Sequence, residues 1–408
     1  MKLPRLIMLA LVAVSCRGAG PSGAAATGAY RNLFHEYLGK SDQEVQARLD
    51  SAWRQLFHGD TQSQGLYFPL PDGTAYVPDV ANNDVRTEGL SYGMMICVQT
   101  GHQEEFDRIW RFARKHMYHA DGPFAGYYAW HTSLDGRPLD PGPAPDGEEW
   151  FATALFFASH RWGDGAGILN YGSEAQAILH AMLHKHEEPG RDGVGDMFDA
   201  AAGQVVFVPE GGGLGFTDPS YHLPAFYELW ARWASDPGDR AFLARAARES
   251  RALFGRAADP VTGLMPDYSN FDGTPRTGNA RGHGDFRFDA WRTLSNPALD
   301  FSWWAADPRE PLLANRVLRF LASRGAQVPD LFRVDGTPIT GATGAPGLRA
   351  MAAAAALAAD REVGQPFVQR LWDAPLPEGR YRYYDGLLTM LGLLEVGGQF
   401  RIYDRPLP

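Results

Sequence analysis

The feature that most restricts how this chain can fold is its periodicity: apolar residues return every three to four positions in segment after segment and almost never alternate in period two. Val45, Leu49, Trp53 and Leu56 keep that spacing directly after Ser41 and Glu44, whose separation is that of a capping box. The pair predicts an amphipathic helix with a self-defined start. Ser173 with Gln176 is read as a second such start, ahead of Ile178 and Met182. Helical stretches also fit 88–100, 103–118, 149–161, 220–234, 239–255, 286–305, 310–323, 347–359, 365–372 and 382–395, about twelve in all.

The best strand signal is Val205 to Val208, and nothing alternates strand with helix as a parallel sheet requires. The chain is therefore expected to be mainly α. Tight turns alternate with long Gly- and Pro-rich loops at 120–147, 187–219, 256–285 and 324–346, which suggests helical hairpins with the long loops gathered at one end. A barrel of six hairpins fits. Periodicity alone does not separate a closed ring from a solenoid, because no internal repeat is visible. With 408 residues, 45% apolar, the core can be large, and no linker divides the sequence after residue 30. Residues 29–408 are read as one domain. A formal charge of −10 leaves no basic footprint and argues against nucleic acid as a partner.

At the N-terminus, Lys2 and Arg5 precede an apolar run from Leu6 to Val14, shorter than the roughly 20 residues that span a bilayer. Residues 1–16 are read as a signal peptide. Ala13-Val14-Ser15-Cys16 resembles a bacterial lipoprotein cleavage site with Cys16 lipidated; ordinary cleavage near Ala24 to Ala26 is an equal alternative. Residues 17–28 are expected to be a flexible tether. The expected location is outside the cytoplasm: periplasmic, held to a membrane only through a lipid on Cys16, or secreted. Cys97 then stands alone in an apolar helix, a buried thiol outside any disulfide framework. Oligomeric state is not legible.

Three acids stand at loop-to-helix junctions beside Gly, aromatic or Arg residues. They are Glu88 in Asp84-Val85-Arg86-Thr87-Glu88-Gly89, Asp146 in Ala144-Pro145-Asp146-Gly147-Glu148-Glu149, and Asp289 in Phe286-Arg287-Phe288-Asp289-Ala290-Trp291-Arg292. Breaking an acetal needs one carboxylic acid to protonate the leaving oxygen and one carboxylate to activate water or attack carbon. Spacing alone assigns no such role, since acids at helix starts usually cap the helix or complement its dipole. The surrounding residues decide more. The segment running from Asp84 to Leu90-Ser91-Tyr92-Gly93-Met94-Met95, Pro145 to Phe151 with Ala158-Ser159-His160-Arg161-Trp162-Gly163-Asp164-Gly165, and Phe288 to Arg292 with Asn296 together resemble glycoside hydrolase family 8. The resemblance extends from Tyr30-Arg31-Asn32-Leu33-Phe34 to Tyr383-Tyr384-Asp385 and is closest to the reducing-end xylose-releasing exo-oligoxylanases of that family.

The resemblance implies an (α/α)6 barrel, a toroid of six inner and six outer helices, with inversion at the anomeric carbon, a xylo-oligosaccharide substrate, and neither metal nor other cofactor. Carried over position by position, it makes Glu88 the general acid, Asp289 the base, Asp146 a sugar-positioning acid, and Tyr221 a holder of the attacking water. Trp130 is chosen as a stacking platform, Tyr384 as another on the leaving-group side, and Arg86 and Arg292 as further substrate-site residues. An ordinary Glu would be protonated only about 0.2% of the time at pH 7. Glu88 therefore needs burial and a neighbouring acid such as Asp146 to raise it to about 6–7. Arg86 would oppose this, so it is expected to point at another carboxylate or at sugar hydroxyls. Arg292, one helical turn from Asp289, is expected to support that base.

One segment departs from the exo-acting pattern: Thr343-Gly344-Ala345-Pro346 stands before Gly347-Leu348 where those relatives carry Leu-His-Pro, and no His occurs from 324 to 346. An endo-acting xylanase or β-glucanase of the same family is therefore the alternative. Other classes are a polysaccharide lyase with Tyr221 or His222 as base, which the net charge disfavours, and a non-catalytic carbohydrate-binding lipoprotein. His180 with His184 is read as a polar helix face rather than a zinc site, Gly211 to Gly215 as a loop rather than a dinucleotide turn, and Asp192 to Asp196 as too poor in ligand oxygens for calcium.

Overall fold

The computed structural model describes residues 22–278, 282–339 and 341–404. Twelve α-helices pair in chain order into six hairpins. The outer members are Asp42–His58, Gln103–His116, Tyr171–His184, Pro237–Ala257, Arg309–Ser323 and Arg361–Asp373; the inner members are Thr87–Thr100, Pro145–Trp162, Pro224–Trp233, Asn296–Trp304, Pro346–Ala354 and Arg382–Val396. Each inner helix packs against the next, Asn296–Trp304 through the 3-10 turn Ala355–Leu357, and Arg382–Val396 returns to Thr87–Thr100. The ring is closed, which periodicity left open.

Composition explains which helices go inside. Gln103–His116 buries Phe106, Ile109, Trp110, Phe112 and Ala113 along one face and carries Arg108, Arg111 and Lys115 away from it. It is an outer helix. Thr87–Thr100 and Arg382–Val396 are buried almost all round, and Ala350 to Ala359 fits where backbones approach closely. Trp110, Trp230 and Trp303 are fully buried with their indole N–H groups donating to Ile168 O, Thr153 Oγ1 and Phe400 O. Truncating any of these to Ala should cost about 3–5 kcal/mol.

The capping box at Ser41 and Glu44 forms as read. Elsewhere boundaries differ for local reasons. Asn170, not Ser173, caps Tyr171–His184. The stretch 286–305 is two elements, a 3-10 turn Asp289–Leu294 and the helix Asn296–Trp304, because Pro297 has no N–H to continue the ladder. The stretch 220–234 divides likewise at Pro224. The run Val205 to Val208 contributes only Gln204–Val205, paired with Phe198–Asp199, and Gly211–Gly215 is a 3-10 turn. Of the expected tether, Ala24–Thr27 is a helical turn with Ala24 buried, and Gly23 lies so near Trp303 O that a Cβ there would meet it at 2.2 Å. Cys16 and the signal segment lie outside the described residues. Among the described residues no helix is long and apolar enough to cross a membrane.

A four-stranded antiparallel sheet, Pro78–Asp79, Asp84–Arg86, His131–Ser133 and Pro138–Asp140, was not foreseen. Strands of two or three residues are too short to show a period. Arg86 pairs with His131, and Thr87 N donates to Trp130 O at 3.0 Å. The sheet thus fixes Trp130 beside the entry to the helix that carries Glu88.

Candidate active site

The inner helices all begin at the same end of the ring, and the site is built from their first turns and the loops before them. Glu88 and Asp146 lie in the first turns of Thr87–Thr100 and Pro145–Trp162, Tyr221 precedes Pro224–Trp233, Asp289 precedes Asn296–Trp304, and Tyr383 opens Arg382–Val396. Helix N-termini carry partial positive charge, so this end favours anions without removing the need to desolvate them. Close approach depends on two glycines. A Cβ at Gly89 would meet the Tyr383 ring at 2.5 Å, and one at Gly147 would meet Thr87 at 2.4 Å.

Arg292 is the hub. Its side chain is 4% exposed, and its Nη1 lies 3.2 Å from Glu88 Oε2 and 3.2 Å from Asp146 Oδ2, while Nη2 lies 3.5 Å from Asp289 Oδ1. Nη1 also donates to Tyr92 Oη at 2.6 Å and Nη2 to Ser220 Oγ at 2.8 Å. One guanidinium therefore serves three carboxyl groups and two hydroxyls. The expected support of Asp289 is present; the contact with Glu88 was not anticipated. Contacts of 3.2 and 3.5 Å to terminal nitrogens about 2.3 Å apart cap the separation of the Glu88 and Asp289 oxygens at about 9 Å. Inverting enzymes keep roughly 6.5–9.5 Å between such carboxyl groups, and the cap is compatible with that spacing.

Burial is the main influence on Glu88, pushing its carboxyl up to about 7; Arg292 opposes the rise, and Asp289 and Asp146 reinforce it. Its Oε1 accepts a hydrogen bond from Tyr383 Oη at 3.0 Å. Asp146 is raised to about 6, again by burial first, with Arg292 opposing. Asp289 differs in exposure: 37% of its side chain is open to solvent, against 15% for Glu88 and 10% for Asp146. A buried acid that keeps its proton and a more open carboxylate are the two environments that acetal cleavage requires.

Arg86 turns away from Glu88, as expected, with Nη2 3.0 Å from Asp79 Oδ2 and Nε 3.1 Å from Asp84 Oδ1. Its guanidinium also faces the rings of Trp130 and Tyr383 at 5.8 and 6.0 Å. Trp130 is half-buried and stacks on His131, with 4.5 Å between ring centres. Tyr384 donates its hydroxyl to Phe288 O at 3.0 Å and packs on Trp291, so it also steadies the segment entering Asp289. Tyr221 is buried, with its ring 5.7 Å from the Arg292 guanidinium. Asn296 Nδ2 donates to Ser220 O and His222 O, tying the Tyr221 turn to the Asp289 element.

Sequence reading brought the three acids together but missed Tyr383, Tyr92 and Ser220 as their partners, and Asp218 and Asp267 as neighbours of Asp289. Tyr92 and Tyr383 lay within segments already singled out; Asp267 carried no signal of its own. Asp218, Asp267 and Asp289 each offer an oxygen within 4.8 Å of the other two, a spacing that would also suit a cation. His184 is committed to Glu187 and Asp239 at 3.0 and 2.7 Å, and His186 to Asp196 at 2.7 Å. Cys97 is free and buried.

Comparison with known proteins gives this geometry its context. The model of the glycosyl hydrolases family 8 matches residues 70–398. The reducing-end xylose-releasing exo-oligoxylanase Rex8A of Paenibacillus barcinonensis is 45% identical over 386 residues, 93% of this chain and 98% of that protein. Its solved structure with xylose superposes with a TM-score of 0.89 at 43% identity, covering 94% of this chain and all of that one. Endoglucanase C of Ruminiclostridium cellulolyticum is more distant, 28% identical over 78% of this chain and 65% of that protein. The molecule is a glycoside hydrolase on an (α/α)6 barrel. It belongs to glycoside hydrolase family 8, an inverting family.

Proposed function

We propose that this enzyme cleaves β-1,4-xylosidic bonds of xylo-oligosaccharides and releases xylose from the reducing end. The observation that carries the chemistry is the contrast between Glu88, held protonated near neutrality by burial, and the more open Asp289, with Arg292 between them. Glu88 gives its proton to the glycosidic oxygen as the bond to the anomeric carbon breaks. Water attacks that carbon from the opposite face and yields its proton to Asp289. As Glu88 becomes a carboxylate, Arg292 and the Tyr383 hydroxyl stabilise the new charge, an interaction stronger late in the reaction than at its start.

In this reading Asp146 bonds hydroxyls of the sugar at the cleavage point, Tyr221 helps hold the attacking water, and Trp130 and Tyr384 face sugar rings. Arg86 acts by keeping Trp130 and Tyr383 in place. Similarity over nearly the whole chain to enzymes named for this activity supports the substrate class. Residues 29–408 form the catalytic domain. Residues 1–16 direct export, and the mature enzyme is either tethered to a membrane through a lipidated Cys16 or released by ordinary cleavage near Ala24 to Ala26; mass spectrometry of the mature N-terminus from a bacterial host distinguishes the two.

Incubation with xylotriose and with its reduced, alditol-ended form tests the cleavage mode. Rapid release of xylose from the unreduced trimer alone is expected. Random shortening of polymeric xylan would instead establish endo action. One observation favours that second reading: the segment where exo-acting relatives carry Leu-His-Pro reads Thr-Gly-Ala-Pro here, and it packs beside the base, with Asp330 O accepting from Trp291 Nε1 at 3.0 Å and Asp330 Oδ1 from Ala345 N at 2.9 Å.

A further inference from the structure

Close to Asp289, two more carboxyl groups are buried without enough partners. Asp218 is fully buried; its Oδ1 accepts from Ser220 N at 2.7 Å, and its Oδ2 has no partner among the described residues. Asp267 is 3% exposed; its Oδ2 accepts from His283 Nδ1, and its Oδ1 has no partner among the described residues. With Asp289 they place three carboxyl oxygens within 4.8 Å of one another. Three ionised carboxylates at that distance in a poorly solvated site repel strongly, and native structures rarely leave buried oxygens unpaired.

We propose that Asp218 and Asp267 are positioning residues for Asp289, the cluster of three carboxyl groups retaining one proton that fixes how the base is presented. The proposal rests on the reading of Asp289 as base. Asp218 is the natural holder of the proton: burial, then Asp267 and Asp289, push its carboxyl far above the ordinary range. Asp267 is raised less, to about 6, because the bond from His283 counters its burial. A proton retained on Asp218 removes one of the three clustered charges and gives its buried carboxyl a hydrogen to donate. A divalent cation is the competing occupant, but it would sit against Arg292, 3.5 Å from Asp289, and against the ring of His283. Among the described residues, the titratable groups that feel Asp289 are Arg292 on its own turn, Asp218 and Tyr221, Asp267 with its partner His283, Glu88, Asp146 and Tyr384.

The test is kcat/KM for xylotriose from about pH 4 to about pH 9 for wild type, Asp218→Asn, Asp218→Ala and Asp267→Asn, with thermal melting to verify folding. Asp218→Asn should keep kcat within about threefold, since its amide donates as the retained acid does, whereas Asp218→Ala should lose about tenfold or more. Asp267→Asn removes a negative charge beside the base and should move the acidic limb of the profile down by about 0.5–1 unit with KM unchanged. An acidic limb that stays in place, with Asp218→Ala as active as wild type, overturns the proposal. So does loss of activity in EDTA that calcium chloride restores. Asp289→Ala with and without azide separates the two readings: azide rescue upholds Asp289 as base whatever the other variants do, and an active, unrescued variant removes the base and this proposal with it.

Discussion

Two buried arginines in this molecule each face several acids, and they do so in opposite ways. Arg251 gives Asp300 a two-pronged fork, Nε to Oδ2 at 2.7 Å and Nη2 to Oδ1 at 2.9 Å, and its Nη1 reaches Glu228 at 2.8 Å. Asp300 is fully buried, and neighbouring Glu310, pushed up to about 11 by burial and then by Asp300, stays neutral. There one arginine forks one carboxylate, reaches a second, and is locked between helices. Arg292 instead spreads single contacts over Glu88, Asp146 and Asp289, none of them a fork. A fork gives both oxygens of one carboxylate a charged partner; a single shared contact leaves burial to dominate, as at Glu88, whose carboxyl rises to about 7. The same residue type thus builds a strut in one place and borders a cluster of raised carboxyl groups in the other.

The largest break in that contrast comes from removing the acids themselves. Glu88→Gln and Asp289→Asn should each remain folded and lower kcat by about 10²–10⁴, measured on xylotriose. Wild-type turnover in either removes that residue from its role. Next come the arginines. Arg251→Met should destabilise the fold by about 3–5 kcal/mol, because it strands Asp300, while kcat of the folded fraction stays near wild type. Arg292→Met should reverse the pattern, losing about 100-fold or more in kcat/KM with a smaller stability change, since its acids can take up protons. Urea midpoints and kinetics on the same samples read both.

A smaller effect sharpens the claim about charge. The folded-state value of Glu88, about 7, lies above its unfolded value, so the stability it contributes is fully present below about pH 4.5 and is lost as pH rises to about 7. Catalysis has the same direction, since the acid form disappears above that value. Glu88→Gln should therefore melt above wild type at about pH 8 and by a lesser margin at about pH 4.5. An equal margin at both would place Glu88 in an ordinary environment. The smallest effect concerns Trp130, proposed above to face a sugar ring: Trp130→Ala should raise KM by roughly 3–10-fold with kcat nearly constant, in line with aromatic contacts of about 0.5–1.5 kcal/mol.

Much of this was legible in the chain because long helices advertise themselves. Asp42–His58 showed both its cap and its apolar face, and the twelve helical stretches matched the twelve barrel helices. What stayed hidden was short or distant. The strands at Asp84–Arg86 and His131–Ser133 carry too few residues for a pattern, yet they place Trp130. Pro297 and Pro224 shortened helices whose apolar periods ran on through them. The acids were visible through the residues around them, and Arg86 was correctly expected to avoid Glu88. The hub was not visible: Arg292 meets Glu88 across 204 positions of sequence, and no local spacing encodes such a contact.

The most direct test of the account is the titration of the Glu88 side chain itself. Carboxyl ¹³C resonances of glutamate-labelled enzyme, assigned by their loss in Glu88→Gln, should include one that titrates near pH 7. A Glu88 resonance that titrates below about pH 5, in the range of an ordinary carboxylate, would contradict the central claim that burial beside a shared arginine keeps this acid protonated.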